Sequence, residues 1–471
     1  VSGMAAVELS AHIARFLASL PLQAGSKLVL AYSGGVDSEV LAYGLSEFAK
    51  YHPEFHYQLI YVHHGLSPNA DAWAEHCQIR AASYGLPITV ERIQLTLGPR
   101  VSVEAEARKM RYQAILQHLK PQDVLLTAHH EDDQLETILL ALKRGQGPKG
   151  LAAMGQIQML PLGDKGACLQ VRPLLDISRE QIEAFAQTRQ LVHIEDESNQ
   201  DDKYDRNFLR LEIIPRLKAR WPSIATTASR SAQLCAEQQA IVDAEVSERL
   251  PKLLTEAPFT QQTVLKLDAL STQTSEWQGL LLRGFIESQG FGLPSYVQLQ
   301  QIMQQLMGAK EDAKVQIQIG ECVLRRFAGT LYLDTLSTAS TASTAPRITA
   351  DELHQDILAL LTQASTMLED KIAPFTLATT GPRLRLPKAG EVVSLRYQLP
   401  GQFRCQPHFR DKGRELKKLW QECAVPPWLR AEVGFLFYNE RLVMALGLWV
   451  EKAFCAQGDD VGLKLDGQAI G

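Results

Sequence analysis

Leu28-Val29-Leu30-Ala31-Tyr32-Ser33-Gly34-Gly35-Val36-Asp37-Ser38 is the stretch on which the fold turns. Leu28, Val29 and Leu30 form an apolar run that reads as a buried parallel strand. Ser33, Gly34 and Gly35 break that run, and Val36, Val40, Leu41, Leu45 and Phe48 then recur at helical spacing. The glycines therefore lie between a strand and a helix, where both allow unusual backbone angles and close ligand approach. The first amides of such a helix favour an anion. No lysine follows the glycines, so this is not the Gly-x-x-x-x-Gly-Lys-Ser/Thr loop. Asp37 stands where phosphates would collect, and a carboxylate repels them unless a cation intervenes. Mg²⁺ is the natural inference. The alternative is an ordinary strand–turn–helix corner.

The strand-then-helix rhythm continues outward. Candidate strands are 27–32, 58–62, 88–94 and 123–128; candidate helices are 36–50, 70–84, 103–119 and 132–143. Alternation of this kind predicts an α/β fold, a Rossmann-like parallel sheet with helices on both faces. Ligands of such sheets bind beyond the carboxyl ends of the strands. Four polar clusters fall there: Ser33–Ser38, His63–Ser67, the loop after Gln94, and His129–Asp133. The strand end at Val62 and His63 could offer main-chain groups to a base, or these could be plain loop residues. Glu104, Arg108 and Arg111 share a helix face that could bind phosphates or a carboxylate, or pair with itself. His129, Asp132, Asp133 and Glu136 are spaced so that a helix gathers them on one stripe. One carboxylate would suffice to cap that helix, so three with a histidine point to metal or acid–base work.

At 471 residues the chain is too long for one ordinary core, and about two to three domains are expected. A strand at 168–172 and a helix at 178–190 complete the first, which ends near residue 221. Residues 222–335 read as a mainly helical domain closing in a hairpin-like stretch, where Val315, Ile317 and Ile319 alternate with polar residues. Residues 336–376 contain the low-complexity Ser-Thr-Ala run and read as a linker. Residues 377–471 form a small α+β domain in which Arg404–Arg430 interleaves cations with Phe403, Phe409, Trp420 and Trp428. Such a mixture suits RNA phosphates and unpaired bases, with Trp420 and Trp428 as core residues the alternative.

The net charge of −5 gives no global basic bias, so any RNA surface must be a local patch. The seven cysteines include no Cys-x-x-Cys pair, which argues against a zinc site and a disulfide framework and suits a reducing compartment. No apolar run approaches the ~18–20 residues that span a bilayer, and the Val-Ser-Gly-Met start carries neither region of a secretory signal. A cytoplasmic location without membrane contact is the expectation.

Taken together, Ser33–Ser38, Val62–Ser67, Glu104–Tyr112, His129–Thr137, Leu142–Leu151, Arg172–Leu175, Glu195–Arg210 and Lys417–Arg430 resemble the bacterial tRNA(Ile)-lysidine synthetases, in family order and nearly end to end. Ser-Gly-Gly-x-Asp-Ser alone specifies only the wider PP-loop group of ATP pyrophosphatases. The Asp-Asp-x-x-Glu-Thr, Asp-Glu-Ser-Asn…Arg-Asn and Lys-Lys-Leu-Trp…Pro-Pro-Trp-Leu-Arg segments are more specific. The Ser-Thr-Ala linker departs from the family pattern away from every motif. The resemblance implies ATP, L-lysine and a CAU-anticodon tRNA(Ile) as substrates. The wobble cytidine would be adenylated at its 2-oxo group, and the ε-amine of lysine would then displace AMP from carbon-2.

On that resemblance, Ser33, Gly34, Gly35, Val36, Asp37, Ser38, Val62 and His63 would bind ATP. Asp37, with Asp132 or Asp133, would hold Mg²⁺. His129 and Asp133 would position or deprotonate the amine. Arg108, Arg111 and Arg206 would meet phosphates, RNA backbone or the lysine carboxylate. Lys143, Arg144, Lys149, Arg210, Lys417, Lys418 and Arg430 would contact tRNA. A homodimer is the default assembly. The rivals are a tRNA thiolase, which normally needs paired cysteines that the chain lacks, and a non-catalytic nucleotide sensor, which needs no carboxylate stripe.

Overall fold

The computed structural model describes residues 2–65, 67–94, 103–195, 204–308, 315–336, 375–388 and 390–465. The loop after Gln94, the Asp-Glu-Ser-Asn segment from residue 196, the side chain of Glu104 and the Ser-Thr-Ala run lie outside the described residues. Contacts divide the chain into two units, Val1–Val242 and Asp243–Gly471.

In the first unit, strands β1 (Lys27–Ala31), β2 (His56–His63), β3 (Ile88–Arg92) and β4 (Val124–Leu126) alternate with helices α2 (Val36–Tyr51), α3 (Ala70–Tyr84), α4 (Val103–Leu116) and α5 (Glu131–Lys143), after an opening helix α1 (Ser2–Ala18). A short helix α6 (Pro148–Leu151) leads to β5 (Ile157–Pro161), β6 (Ala167–Val171) and α7 (Arg179–Thr188). The sheet order is β3-β2-β1-β4-β6-β5. All pairs are parallel except β5–β6. Chain order reverses between β1 and β4, and such a switch point opens the crevice in which open α/β sheets bind ligands.

Burial explains the boundaries. Leu28, Val29 and Leu30 are fully buried because helices cover both faces of β1. On one face they meet Ile13 and Leu17 of α1 with Leu41 and Leu45 of α2; on the other, Ile115 and Leu119. The sequence rhythm anticipates β1–β4 and α2–α5 within a few residues. It omits α1 and the antiparallel edge strand β5, whose Ile157 and Met159 stay exposed.

After α7, the first unit runs through α8 (Asp205–Phe208), a π-helical turn (Leu209–Ile213), α9 (Ile214–Arg220) and the start of α10 (Ile224–Leu253). π-turns inside helices recur at functional sites. This one carries Arg210.

In the second unit, helices α10, α11 (Leu267–Ser271), α12 (Ser275–Ser288) and α13 (Tyr296–Gly308) accompany a five-stranded sheet of order β7-β8-β11-β10-β9. The expected hairpin supplies β9 (Gln316–Ile319), β10 (Cys322–Phe327) and β11 (Thr330–Thr335). Strands β7 (Leu254–Glu256) and β8 (Thr263–Lys266) are too short to show a period, so the helical reading passed over them. From Phe375 onward, short antiparallel strands accompany the helix α14 (Leu416–Glu422). Trp420 is buried against Phe435. Trp428 packs edge-on against Tyr332 and Phe327 with Arg325 over its ring. Both tryptophans therefore take the core alternative.

Candidate active site

The Ser33–Ser38 loop joins β1 to α2. Ser38 Oγ accepts from the Ser33 amide at 3.2 Å and donates to the Gly35 carbonyl at 3.2 Å, while the two serine hydroxyls lie 3.1 Å apart. The loop thus holds its shape with its own hydroxyls. No side chain caps α2 at Gly35, so its first amides remain open to a ligand. Only Gly34 has the left-handed backbone anticipated for both glycines, with φ +80. A Cβ there would stand 2.6 Å from Ile194 Cδ1 and 2.9 Å from Cys77 Sγ. Gly35 has φ −67, and its Cβ would meet Ser33 Oγ at an ordinary 3.5 Å.

A contrast follows. Gly34→Ala should destabilise the loop by about 2 kcal/mol, because terminal side-chain atoms can swing aside but φ cannot relax. Gly35→Ala should keep the melting temperature and raise the KM for ATP. Thermal melts beside ATP titrations of both variants check this; equal melting losses would contradict it.

A cavity of about 1310 Å³ opens above the loop. Ser33, Gly35, Val36 and Asp37 form its floor, Val62 and His64 one side, and Asp132, Glu136, Arg210 and Lys218 another. Along a parallel strand, successive residues bond to alternate neighbours. Ile60 accepts from Tyr32, so Val62 faces the same side, where β1 has already ended. His63 faces β3 instead: its carbonyl accepts from Ile93, and its ring meets Asp71 at 3.0 Å. Thus Val62 presents main chain to the cavity. His64, not His63, adds the side chain.

The first turn of α5 departs from the expected stripe. His130, which the spacing pattern left out, is its N-cap. Nδ1 accepts from the amides of Asp132 and Asp133 at 3.2 and 3.4 Å, and Asp133 Oδ2 accepts from the His130 amide at 2.9 Å. Nε2 then faces Asp133 Oδ2 at 3.4 Å and Asp37 Oδ2 at 3.6 Å. His130 therefore joins the tips of β1 and β4. Burial opposes a charge on this ring, but Asp133 and Asp37 outweigh it and raise its pKa to about 9. The two amides on Nδ1 work against that charge, since a second proton there would displace them.

Asp132 and Asp133 are adjacent on the helix and turn to different partners. Asp132 Oδ2 accepts from Lys218 Nζ at 2.5 Å, and Lys218 also donates to Glu180 at 2.8 Å. Burial works against ionised Asp133, yet His130, His129 and Arg210 hold its pKa below the usual carboxylate range. Of the two carboxylates expected to join Asp37 on Mg²⁺, Asp132 pairs with Lys218, and Asp133 with His130 and Arg210. Among the described residues no group of three His, Cys, Asp or Glu side chains is arranged to hold a metal. Two carboxylate oxygens of these three residues nonetheless stay buried without a hydrogen bond, Asp37 Oδ1 and Asp132 Oδ1. Both residues line the cavity.

Arg210 turns inward, contrary to the expected RNA contact. Its guanidinium donates to Glu136 at 2.8 and 3.1 Å and to Asp133 at 3.3 Å. Arg206 joins it on Glu136 at 3.4 Å. Glu136 is 0 % exposed, and burial raises its pKa against the pull of both arginines. His129 is outside the cavity lining, with Nδ1 3.0 Å from Thr127 Oγ1. Burial lowers its pKa to about 4, with Arg172, Arg108 and Arg111 adding to the fall, so the ring is neutral near pH 7. Arg111 lines the cavity; Arg108 and Arg206 stand outside its lining.

The surface cations divide too. Lys143 pairs with Asp205 at 2.6 Å, Lys417 with Glu415 at 3.2 Å, and half-buried Arg430 donates to the Val425 carbonyl at 3.1 Å. Arg430 thus braces its own loop. Arg144 and Lys418 are exposed.

Comparison with known proteins supplies the family. Residues 6–217 match a family model described as a PP-loop domain. Residues 265–332 match a TilS substrate binding domain, and residues 393–466 a TilS substrate C-terminal domain. A tRNA(Ile)-lysidine synthase from Shewanella oneidensis is 83% identical over 460 residues, covering 98% of both chains. The chain belongs to the tRNA(Ile)-lysidine synthase family. A synthase of that name from Shewanella woodyi is 55% identical over 97% of this chain and 96% of its own. One from Serratia proteamaculans is 39% identical over 95% of each. The PP-loop match takes in the cavity lining from Tyr32 to Pro215 and stops one residue short of Lys218. Among the described residues of this lysidine synthase family member, no helix is long and apolar enough to cross a membrane.

Proposed function

We propose that this protein ligates L-lysine to carbon-2 of the wobble cytidine in CAU-anticodon tRNA(Ile), consuming ATP and releasing AMP and pyrophosphate. The carrying observation is the meeting of two strand tips through His130, which sets Asp37 and Asp133 on one ring at the switch point of the sheet. The open amides of α2 would take ATP phosphates, and Val62 main chain would take the adenine. His63 leaves the proposed ATP-binding set. The orphaned oxygens of Asp37 and Asp132 fit a hard divalent cation, whose other positions phosphate oxygens and water would fill. Mg²⁺ bound there would neutralise charge on the phosphates.

The cytidine must leave the anticodon stack to enter an enclosed cavity. Its 2-oxo oxygen attacks the α-phosphorus, and the pyrophosphate departs with the electron pair. The neutral ε-amine then attacks carbon-2, and the bond from carbon-2 to the adenylated oxygen breaks, so that AMP departs with its electron pair. His129 and Asp133, which follow β4, remain the pair proposed to position that amine or take its proton. Arg206 and Arg210 fix Glu136 and Asp133, and Arg111 offers a cation to the lysine carboxylate or a phosphate. A cytoplasmic enzyme, acting as a homodimer, suits this role.

Labelled lysine, ATP and a tRNA(Ile) transcript test the reading together. Label should enter the tRNA only with cytidine at the wobble position, with one AMP released per lysine. Sulfur incorporation, or tRNA binding without AMP release, would refute it. Lys418 and its neighbour Lys417 should supply phosphate contacts outside the cavity. Charge reversal at both should weaken tRNA binding and flatten its salt dependence by about one unit of slope per lost contact, leaving the melting temperature unchanged. Unaltered affinity would exclude that patch.

A further inference from the structure

Among the described residues that line the cavity are four cations, two of them bound to carboxylates. Arg210 is bound to Glu136 and Asp133, Lys218 to Asp132 and Glu180, and Arg111 stands beside Tyr61 and Tyr112. The fourth, Arg179, opens α7 and lines the cavity. Its Nε donates to Glu183 one turn on at 2.7 Å. Its two terminal nitrogens make no protein hydrogen bond among the described residues. Asp37 of the phosphate loop and Arg210 are charged neighbours. The helix end itself is already closed by the Ser178–Gln181 capping box, so the side chain is what α7 offers.

We infer that Arg179 binds the departing pyrophosphate, as a catalytic residue of the adenylation step; this rests on the ATP-dependent reading above. When the cytidine oxygen bonds to the α-phosphorus, the bond from that phosphorus to the bridging oxygen breaks. The bridging oxygen keeps the electron pair, and the pyrophosphate gains negative charge. A guanidinium fork with two free nitrogens can take two of its oxygens at once. Arg179 lines the same cavity as the phosphate loop, so a triphosphate seated there would meet both the open amides and this cation. Glu183 holds the stem through Nε and leaves the fork free.

The experiment compares Arg179→Ala, Arg179→Lys, Glu183→Gln and Asp37→Ala in AMP release and in product inhibition by pyrophosphate. Arg179→Ala should slow AMP release about a hundredfold, weaken pyrophosphate inhibition about tenfold, and leave tRNA affinity and melting temperature intact. Arg179→Lys should recover part of the rate, since it restores the charge without the fork. Glu183→Gln should fall between the parent and Arg179→Ala, because its amide oxygen still accepts from Nε while the charge that steadies the stem is gone. Full AMP release and unchanged pyrophosphate inhibition in Arg179→Ala, while Asp37→Ala is inactive, would overturn this inference and leave the reaction assignment standing. Full release in both variants would overturn the reaction assignment as well.

Discussion

Asp37→Ala should cut AMP formation by about a thousandfold while tRNA binding persists. Asp37 enters three parts of the site at once. Its Oδ2 lies 3.6 Å from His130 Nε2, so it holds the ring that also contacts Asp133. Its Oδ1 is buried without a partner, which is tolerable only where a cation or solvent completes it. Its place in the first turn of α2 puts negative charge beside amides that would otherwise take phosphate unaided. Alanine removes the cation ligand and leaves His130 with Asp133 alone. The surface that binds tRNA is untouched, so filter binding should change little. Asp37→Asn separates charge from packing: it keeps the volume and one acceptor oxygen, so raising Mg²⁺ should recover part of its rate. AMP release at the parent rate in Asp37→Ala would remove the metal role and the cavity assignment with it.

Most of what places the site is carried by local chemistry. Apolar Leu28–Leu30 running into Ser33-Gly34-Gly35 marks a strand, a turn and a helix start within one short window, because each of those residue types has a narrow backbone preference. The α5 turn was legible as a functional segment yet misread in detail. Helical spacing groups His129 with Asp132, Asp133 and Glu136, but His130 leaves the helix pattern to cap it, and capping is set by backbone dihedrals beyond side-chain periodicity. A Ser, Thr, Asp or Asn is the usual cap signal; histidine in that role gave none. Arg210 and Lys218 were invisible as cavity residues for a different reason. Both owe their direction to ion pairs with Glu136 and Asp132, more than seventy positions earlier in the chain. Long-range pairing of that kind leaves no trace in spacing. The edge strand β5 was hidden because Ile157 and Met159 face outward, so its alternation runs opposite to that of a half-buried strand.

Glu39→Ala should lower the stability of the first unit by about 3–5 kcal/mol, the cost of stripping a buried charge of its partner. Glu39 is 0 % exposed and accepts from three donors. Oε1 takes Arg80 Nε at 2.7 Å and the Tyr84 hydroxyl; Oε2 takes the Tyr32 hydroxyl. Burial and the Glu39 charge push the Tyr32 pKa up, so that hydroxyl stays a donor throughout the working range. Tyr32 immediately precedes Ser33, and Glu39 immediately follows Ser38. Their hydrogen bond therefore clips the two ends of the phosphate loop together, and Arg80 with Tyr84 ties the clip to α3. Alanine leaves Arg80 Nε and two hydroxyls without an acceptor, while the guanidinium keeps only the Tyr84 hydroxyl. Hydrogen exchange in β1 and α2 should accelerate by roughly three orders of magnitude in line with that loss, and ATP affinity should fall because the loop ends part. Glu39→Gln should be milder, since one carbonyl oxygen still accepts while its amide opposes Arg80. Adding Arg80→Ala to Glu39→Ala should cost less than the two losses summed, because the second change removes the stranded cation. Strict additivity, or a Glu39→Ala loss below about 1 kcal/mol, would show that the loop is held by its serine hydroxyls alone.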